Sequence, residues 1–533
     1  MKGARKFELY WPIWVAAICV SYWWLGPFPL FSRALWSHII PPIWQMSDEA
    51  FTAHFSYFTQ LLLFWILCAG LGRIVLKRIL PIETLNPFES LAFSFGLGAG
   101  ALAYIMLTLA VLKALTPVTV VTTTGVLLIG NLIFNRDLFS KRISPGNLKN
   151  TPKTFVAAAL LIASVLFLYG FYALGPETFY DALVYHLALP QLYKITGGFV
   201  ATPHNSYSGL PFLMQMLYTW ALFISDEILA RLIHWSTGAG LAIGFLGLCL
   251  RYKRPALASL LACAFLTTPI LGLNVSVSGV DVASSFMVFL AVYALSISFD
   301  ENQDRWEILS ATFCGFALSL KYTNWPLLPI IVAAFLFIRR DAKKSVRFAM
   351  IAVLLVAPCV IRNFLFYGNP IYPYFHEWFQ QDPLYAVDWK SFQREAWGRQ
   401  WDSTLTEPKQ LGEAILQPFV VTYRGSSSVE YIGPLFLAAL PLIFFRRADD
   451  RHRIWLIVFV GLWLSWWLTT TMPRYFLPGL AILAACFCLR FPHYSQKWIR
   501  WGLAVVMVTT ILHNTAGFSL FAHTDTWNYL IFG

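Results

Sequence analysis

Charge is what this 533-residue chain lacks most: Asp, Glu, Lys and Arg together supply 12% of it, against 58% hydrophobic residues and a mean hydropathy of +0.61. Soluble domains carry about a quarter charged residues, so a single water-facing core cannot hide this much apolar surface. Cysteine is scarce in any organised sense. The eight cysteines (Cys19, Cys68, Cys249, Cys263, Cys314, Cys359, Cys486 and Cys488) all fall inside apolar runs without metal-ligand spacing. They read as small packing residues, and no disulfide framework is expected. A Walker motif is absent, as is a convincing Gly-x-Gly-x-x-Gly helix entry, which leaves a nucleotide-sugar or ATP site without support. No small-residue cleavage site follows the basic, then apolar N-terminus, so it reads as a first span rather than a signal peptide.

What the chain has in abundance is long apolar runs. A membrane span needs about 20 such residues. The runs predict helices near 10–31, 57–76, 89–112, 117–135, 154–174, 229–250, 256–275, 282–299, 307–323, 324–338, 348–365, 433–445, 454–471, 475–490 and 501–518. The expected fold class is therefore an all-α polytopic membrane protein, a bundle of about 15 transmembrane helices with interfacial helices on its outer face. The basic runs Lys2/Arg5/Lys6, Arg73/Lys77/Arg78, Arg136–Lys153, Arg251/Lys253/Arg254, Arg339–Arg347, Arg446–Arg453 and Arg490–Arg500 then share one side. With Arg305 they hold 27 of the 39 Lys and Arg residues, which marks that side and the N-terminus as cytoplasmic. Most of the net charge of +12 is thereby a topology signal, and a nucleic-acid partner is not expected. The expected location is a multi-pass cell membrane, with the less basic face outside.

Residues 208–224 are apolar enough to be mistaken for another span, but counting them as one would turn Arg251, Lys253 and Arg254 outward. They are expected to lie in, or dip into, the outer interface. Two long outer segments result, 175–228 and 366–432, the second carrying Trp378, Trp389, Trp397 and Trp401. Loops of that length tend to carry function. The tryptophan rings could line a binding surface or form an interfacial belt. The chain divides into an N-terminal extension of about four spans (1–150), a core (151–490) and a C-terminal helix with an outer tail (491–533).

Ionisable residues gather at the outer boundary: Asp181, Asp281, Arg231, Lys321, Arg362 and Arg474. Charges at membrane depth often mark a site, although a lone Lys or Arg at a helix end can simply reach for lipid headgroups. Asp181 could cap the helix that follows it. Alternatively, it could take the proton of an incoming hydroxyl while a guanidinium fork holds a departing phosphate. Glu177 lies four residues before it. Asp48-Glu49, after the first span, is a rival acidic pair with none of the other outer-face features around it.

Gly175-Pro-Glu-Thr-Phe-Tyr-Asp-Ala-Leu-Val-Tyr-His-Leu-Ala-Leu-Pro190 holds Asp181, Tyr185 and His186 in the order Asp-x-x-x-Tyr-His. Gly197-Gly-Phe-Val-Ala-Thr-Pro-His-Asn205 and Leu210-Pro-Phe-Leu follow. Further on come Ala230-Arg231-Leu232, Thr268-Pro269, Val280-Asp281, Leu318-Ser-Leu-Lys-Tyr-Thr-Asn324, Ile361-Arg-Asn-Phe, Gly368-Asn-Pro-Ile-Tyr-Pro373 and Pro473-Arg-Tyr-Phe-Leu-Pro478. This ordered set, over about 155–490, resembles the GT-C membrane glycosyltransferases, in particular bacterial relatives of the protein O-mannosyltransferases and the aminoarabinose transferases of lipid A. The resemblance implies transfer of a sugar, with inversion, from a polyprenyl-phosphate donor to a lipid, glycan or protein acceptor. It implies Asp181 as catalytic base and Asp281 as the second acidic position. Lys321, Arg362 and Arg474 become candidates for the lipid phosphate, and Tyr185, His186, His204, Asn205 and Arg231 for the sugar or acceptor. No cofactor is implied with certainty; a divalent metal is an option that the superfamily leaves open. The family often has Asp-Glu where this chain has Asp181-Ala182, and its core usually starts at the N-terminus.

Two other classes compete with this reading. A flippase or transporter for a lipid-linked oligosaccharide would place its charges near the bilayer midplane, in paired repeats. An O-antigen polymerase or ligase also uses Arg and His on outer loops, but not this order of motifs.

Overall fold

A computed structural model describes residues 2–25, 47–137, 152–375, 431–444, 450–469 and 472–521, with short pieces at 378–379, 416 and 420–423. The regular elements among the described residues are all helical. Among the described residues ten helices are long and apolar enough to cross a membrane, or eleven if the bent pair Ala256–Leu266 and Pro269–Val275 is one span. Lys2–Leu25, Asp304–Leu318, Pro434–Phe444 and Asp450–Thr469 take the places in chain order of the other expected spans. The protein is a multi-pass, all-helical membrane protein.

Local chemistry sets the helix boundaries. Asn86 and Glu89 form a reciprocal capping box ahead of Pro87–Val111, and Thr116 and Thr119 form another ahead of Pro117–Phe134. In both helices proline sits where its missing N–H costs nothing. Asp226 caps Glu227–Arg251 and Asp341 caps Ala342–Tyr367. The span expected at 256–275 breaks by 63° at Thr267-Thr268, because Pro269 disfavours helical geometry at the residue before it. Asp48–Ile79 and Pro87–Val111 cross on two glycines. A Cβ on Gly72 would lie 1.7 Å from the Ser94 carbonyl oxygen, and one on Gly98 equally close to that of Cys68. Small residues of this kind let membrane helices approach backbone to backbone.

Leu213–Ile224, expected in or near the outer interface, is covered by protein. At 12 residues it is too short to span, yet Leu213 to Leu222 are all buried. Its neighbours Pro87–Val111, Ala188–Thr196 and Glu227–Arg251 wrap it, so its apolar surface is spent on the protein rather than on lipid. The first 150 residues are also knitted into the rest. The Trp11 indole donates to the Ala438 carbonyl (3.0 Å), Tyr57 to Asp226 (2.6 Å) and Trp220 to Thr124 (2.9 Å).

The two ends of the bundle are chemically distinct. At one, the helix-end charges named as cytoplasmic are tied together: Arg73 and Lys77 to Asp137, Arg251 to Glu89 and Glu301, Lys344 and Arg347 to Glu307 and Asp304. At the other, Asp181, Asp281, Lys321 and Arg474 stand at helix starts or breaks.

Candidate active site

Asp181 opens a single wide helical turn, Ala182–His186, closed by the Leu187 N–H on the Ala182 carbonyl (2.8 Å). Such i→i+5 turns occur often at functional sites. Asp181 caps nothing: its carboxylate makes no cap hydrogen bond and instead meets the Arg474 guanidinium at 3.1 Å. Arg474 lies in the short turn Pro473–Phe476, which starts the helix Leu477–Arg490. Lys321 sits where the chain leaves Asp304–Leu318, ahead of the turn Tyr322–Asn324. Its ammonium is 2.5 Å from the carboxylate of Asp281, the first residue of Asp281–Glu301, and 3.7 Å from the centre of the Tyr475 ring.

These groups surround a cavity of about 380 Å³. Asp181, Tyr185, His186, Lys321 and Arg474 line it, with an aromatic wall of Tyr180, Tyr207, Tyr322, Trp325, Tyr374 and Tyr475. Ser465 and Thr469 add hydroxyls. Asp281 lies behind Lys321, beside the lining residue Val280. His186 is 4% exposed, and its Nδ1 has no partner among the described residues. Burial first, then the positive charges of Lys321 and Arg474, hold its pKa well below the usual histidine value, so the ring is neutral. Arg474 is also underused: its Nε has no partner among the described residues.

The remaining candidates lie elsewhere. Arg231 is buried, and its Nε and both terminal nitrogens donate to the carbonyls of Tyr172, Gly175, Pro176 and Ser276. These contacts occupy all five of its N–H groups, so none is left for a ligand. Arg362 donates to the Ser208 carbonyl (2.7 Å), to that of Leu210 (3.3 Å) and to the Asn363 side chain, and its guanidinium lies 4.1 Å from the centre of the Phe212 ring. It shapes the 208–212 turn rather than the cavity wall. Asn205 likewise holds backbone, donating to the Val184 carbonyl (3.0 Å) and accepting from the Tyr207 N–H. His204 is exposed and away from the lining.

Asp48 and Glu49 head the helix Asp48–Ile79 in exposed positions, with Ser47 as the cap, and do not reach the cavity. Trp378 is exposed, while Trp389, Trp397 and Trp401 fall outside the described residues. Among the described residues no three His, Cys, Asp or Glu side chains converge, so the divalent metal has no assigned ligands. The aromatic wall was missed from sequence, although Tyr322 and Tyr475 each directly follow a singled-out cation.

A membrane-embedded helical bundle with an open, largely aromatic-lined cavity at one end, holding the Asp181–Arg474 pair and Lys321, defines a polytopic membrane protein with a charged cluster in an apolar cavity. The chain belongs to the family described as "Domain of unknown function (DUF8201)", whose model matches residues 55–481. A comparison with curated proteins finds no match. Among solved structures the chain is similar to ArnT from Cupriavidus metallidurans bound to undecaprenyl phosphate. The identity is 12%, the TM-score 0.46, and the match covers 70% of this chain and 77% of that one. The apo state of the same protein matches over the same shares at 11% identity and a TM-score of 0.46.

Proposed function

We propose that this chain is an integral membrane glycosyltransferase that moves a sugar from a polyprenyl-phosphate donor to an acceptor hydroxyl at the cavity end of the bundle. The observation that carries the reading is the meeting of Asp181–Arg474 and Lys321–Asp281 at one aromatic-lined cavity. A displacement at an anomeric carbon needs a base on the nucleophile and positive charge on the departing phosphate. Here the two lie side by side. Asp181 takes the proton as the acceptor oxygen attacks the anomeric carbon, and the bond from that carbon to the phosphate oxygen breaks with inversion. Arg474 and Lys321 stabilise the charge that grows on the polyprenyl phosphate. Tyr185, Tyr207, Tyr322 and Trp325 offer ring faces to the sugar, and neutral His186, whose Nδ1 has no partner among the described residues, offers a hydrogen bond to a hydroxyl. The basic end then faces the cytoplasm of a bacterial inner membrane and the cavity faces the periplasm.

The test compares wild type with Asp181→Asn for release of polyprenyl phosphate from a panel of radiolabelled polyprenyl-phosphate sugars, with membrane extract as acceptor. Turnover that collapses in the variant while donor binding and folding persist supports the base assignment. Equal turnover by both proteins refutes it.

A further inference from the structure

Glu177 and Arg231 do not line the cavity, yet together they tie its two acidic loops to each other. One loop runs from Tyr172 to Asp181; the other runs from Ser276 to Asp281. Outside regular helices both expose backbone donors and acceptors that need partners. Arg231, a donor-only group, takes the carbonyls of Tyr172, Gly175 and Pro176 from the first loop and that of Ser276 from the second. Glu177, acceptor-only when ionised, does the converse. Its Oε1 accepts from the N–H groups of Thr178 (3.0 Å) and Phe179 (2.9 Å), and its Oε2 from that of Ser278 (2.6 Å). The two side chains lie 3.8 Å apart, 2% and 8% exposed. Each therefore bridges both loops.

Other ties fix the second loop further: the Val277 carbonyl meets His234 Nδ1 (2.7 Å), and the Gly279 carbonyl accepts from the Tyr218 hydroxyl. From Glu177 the constraint runs directly to the cavity. Phe179, whose N–H it holds, presents its ring to the Arg474 guanidinium at 5.4 Å, and Arg474 holds Asp181. Ser278 lies three residues before Asp281, which holds Lys321.

We propose that Glu177 is a positioning residue, which with Arg231 sets the placement of the Asp181–Arg474 pair relative to the Asp281–Lys321 pair. The inference rests on the reading of Asp181 as the base, and two kinds of readout keep the claims apart. The first needs no turnover. Hydrogen–deuterium exchange of the full-length protein in detergent should show 175–181 and 275–281 exchanging faster together in Glu177→Gln, with 202–213 unchanged. Arg231→Lys, which keeps the charge but loses the fork, should loosen the same two segments and serves if Glu177→Gln folds poorly. The second readout is kinetic. Displacement of a reacting group by about 1 Å costs on the order of 100-fold, so kcat should fall about 10- to 100-fold in Glu177→Gln while KM for the donor stays within about threefold. Combined with Asp181→Asn, the substitution should add less loss than it causes alone, because part of its effect acts through that carboxylate.

Unchanged exchange in 275–281 overturns the proposal. So does a loss carried by KM, a loss that multiplies with that of Asp181→Asn, or loosened loops with an intact kcat. If wild type turns over no donor, the transferase reading fails on its own, and the exchange data still decide whether the two loops are coupled.

Discussion

The two ends of the bundle use the same residue types to opposite effect. At the basic end, the buried Glu89 accepts from Arg251, the Tyr293 hydroxyl and the Asn86 N–H, so its capacity is filled. Glu307 is held by Lys344 (2.6 Å) and Arg347 (2.5 Å) together. At the cavity end, Asp181 and Arg474 meet at 3.1 Å, and among the described residues Arg474 Nε and His186 Nδ1 have no hydrogen-bond partner. Buried polar groups cost free energy when they lack partners, so a cluster of them around a cavity signals groups waiting for a ligand. The contrast lies in the carboxylates and the cavity: Arg73 at the basic end also has an Nε without a partner among the described residues, but it lies away from the cavity.

The largest expected effect tests the cavity side of that contrast. Asp181→Asn should lower turnover by about 100- to 10,000-fold, the usual contribution of a general base. Its thermal midpoint should fall less than that of Glu89→Gln, since Asp181 makes a single ion-pair contact where Glu89 also accepts from Tyr293 and the Asn86 N–H. Arg474→Gln comes next. It should cost about 100- to 1,000-fold in kcat/KM for the polyprenyl-phosphate donor, read from initial rates over a donor titration, if the guanidinium meets the phosphate in the transition state. A rate within threefold of wild type would put the phosphate elsewhere and break the contrast.

The opposite signature is expected at the basic end. Glu89→Gln removes the carboxylate from between Arg251 and Tyr293, and breaking a buried pair costs about 3–5 kcal/mol when the partner is left uncompensated. Arg251 retains Glu301 at 3.3 Å, which points to the lower part of that range. The variant should therefore unfold earlier in a thermal melt, while turnover per folded molecule stays at the wild-type level. A selective loss of turnover would mean that the two ends are coupled.

Much of this division was legible in sequence, because it follows from where charges interrupt apolar runs. Lys321 and Arg474 stood out as cations at helix ends on the less basic face, and both line the cavity with Asp181, Tyr185 and His186. What sequence could not show is which charges are already spent. Arg231 and Arg362 look like Arg474 in the chain, but backbone carbonyls consume them, and every residue has a carbonyl. Only the fold reveals which ones lack a helical partner. Glu177 read as a spare carboxylate near Asp181 for the same reason, since its partner N–H on Ser278 is 101 residues away. The burial of Leu213–Ile224 was equally hidden. An apolar helix of that composition suits lipid or protein, and tertiary packing decides between them.

The smallest effect concerns His186, in the segment between the spans ending at Tyr172 and starting at Glu227. Burial and the neighbouring charges of Lys321 and Arg474 depress its folded-state pKa, whereas the unfolded chain should titrate near 6.5. Below about pH 6.5 the unfolded state thus binds a proton that the folded state refuses, and stability must fall as the medium is acidified. The slope is at most about 1.4 kcal/mol per pH unit for one group, until the folded pKa is reached. His186→Gln removes the titration while keeping a polar group at the cavity wall. Thermal melts at pH 7.5 and 5 should show a smaller loss of midpoint for the variant than for wild type, and the difference between the two slopes isolates this ring from the other histidines. Parallel slopes would mean that His186 takes up its proton as readily in the folded protein as in the unfolded chain, which would remove the neutral hydrogen-bonding ring from the proposed site.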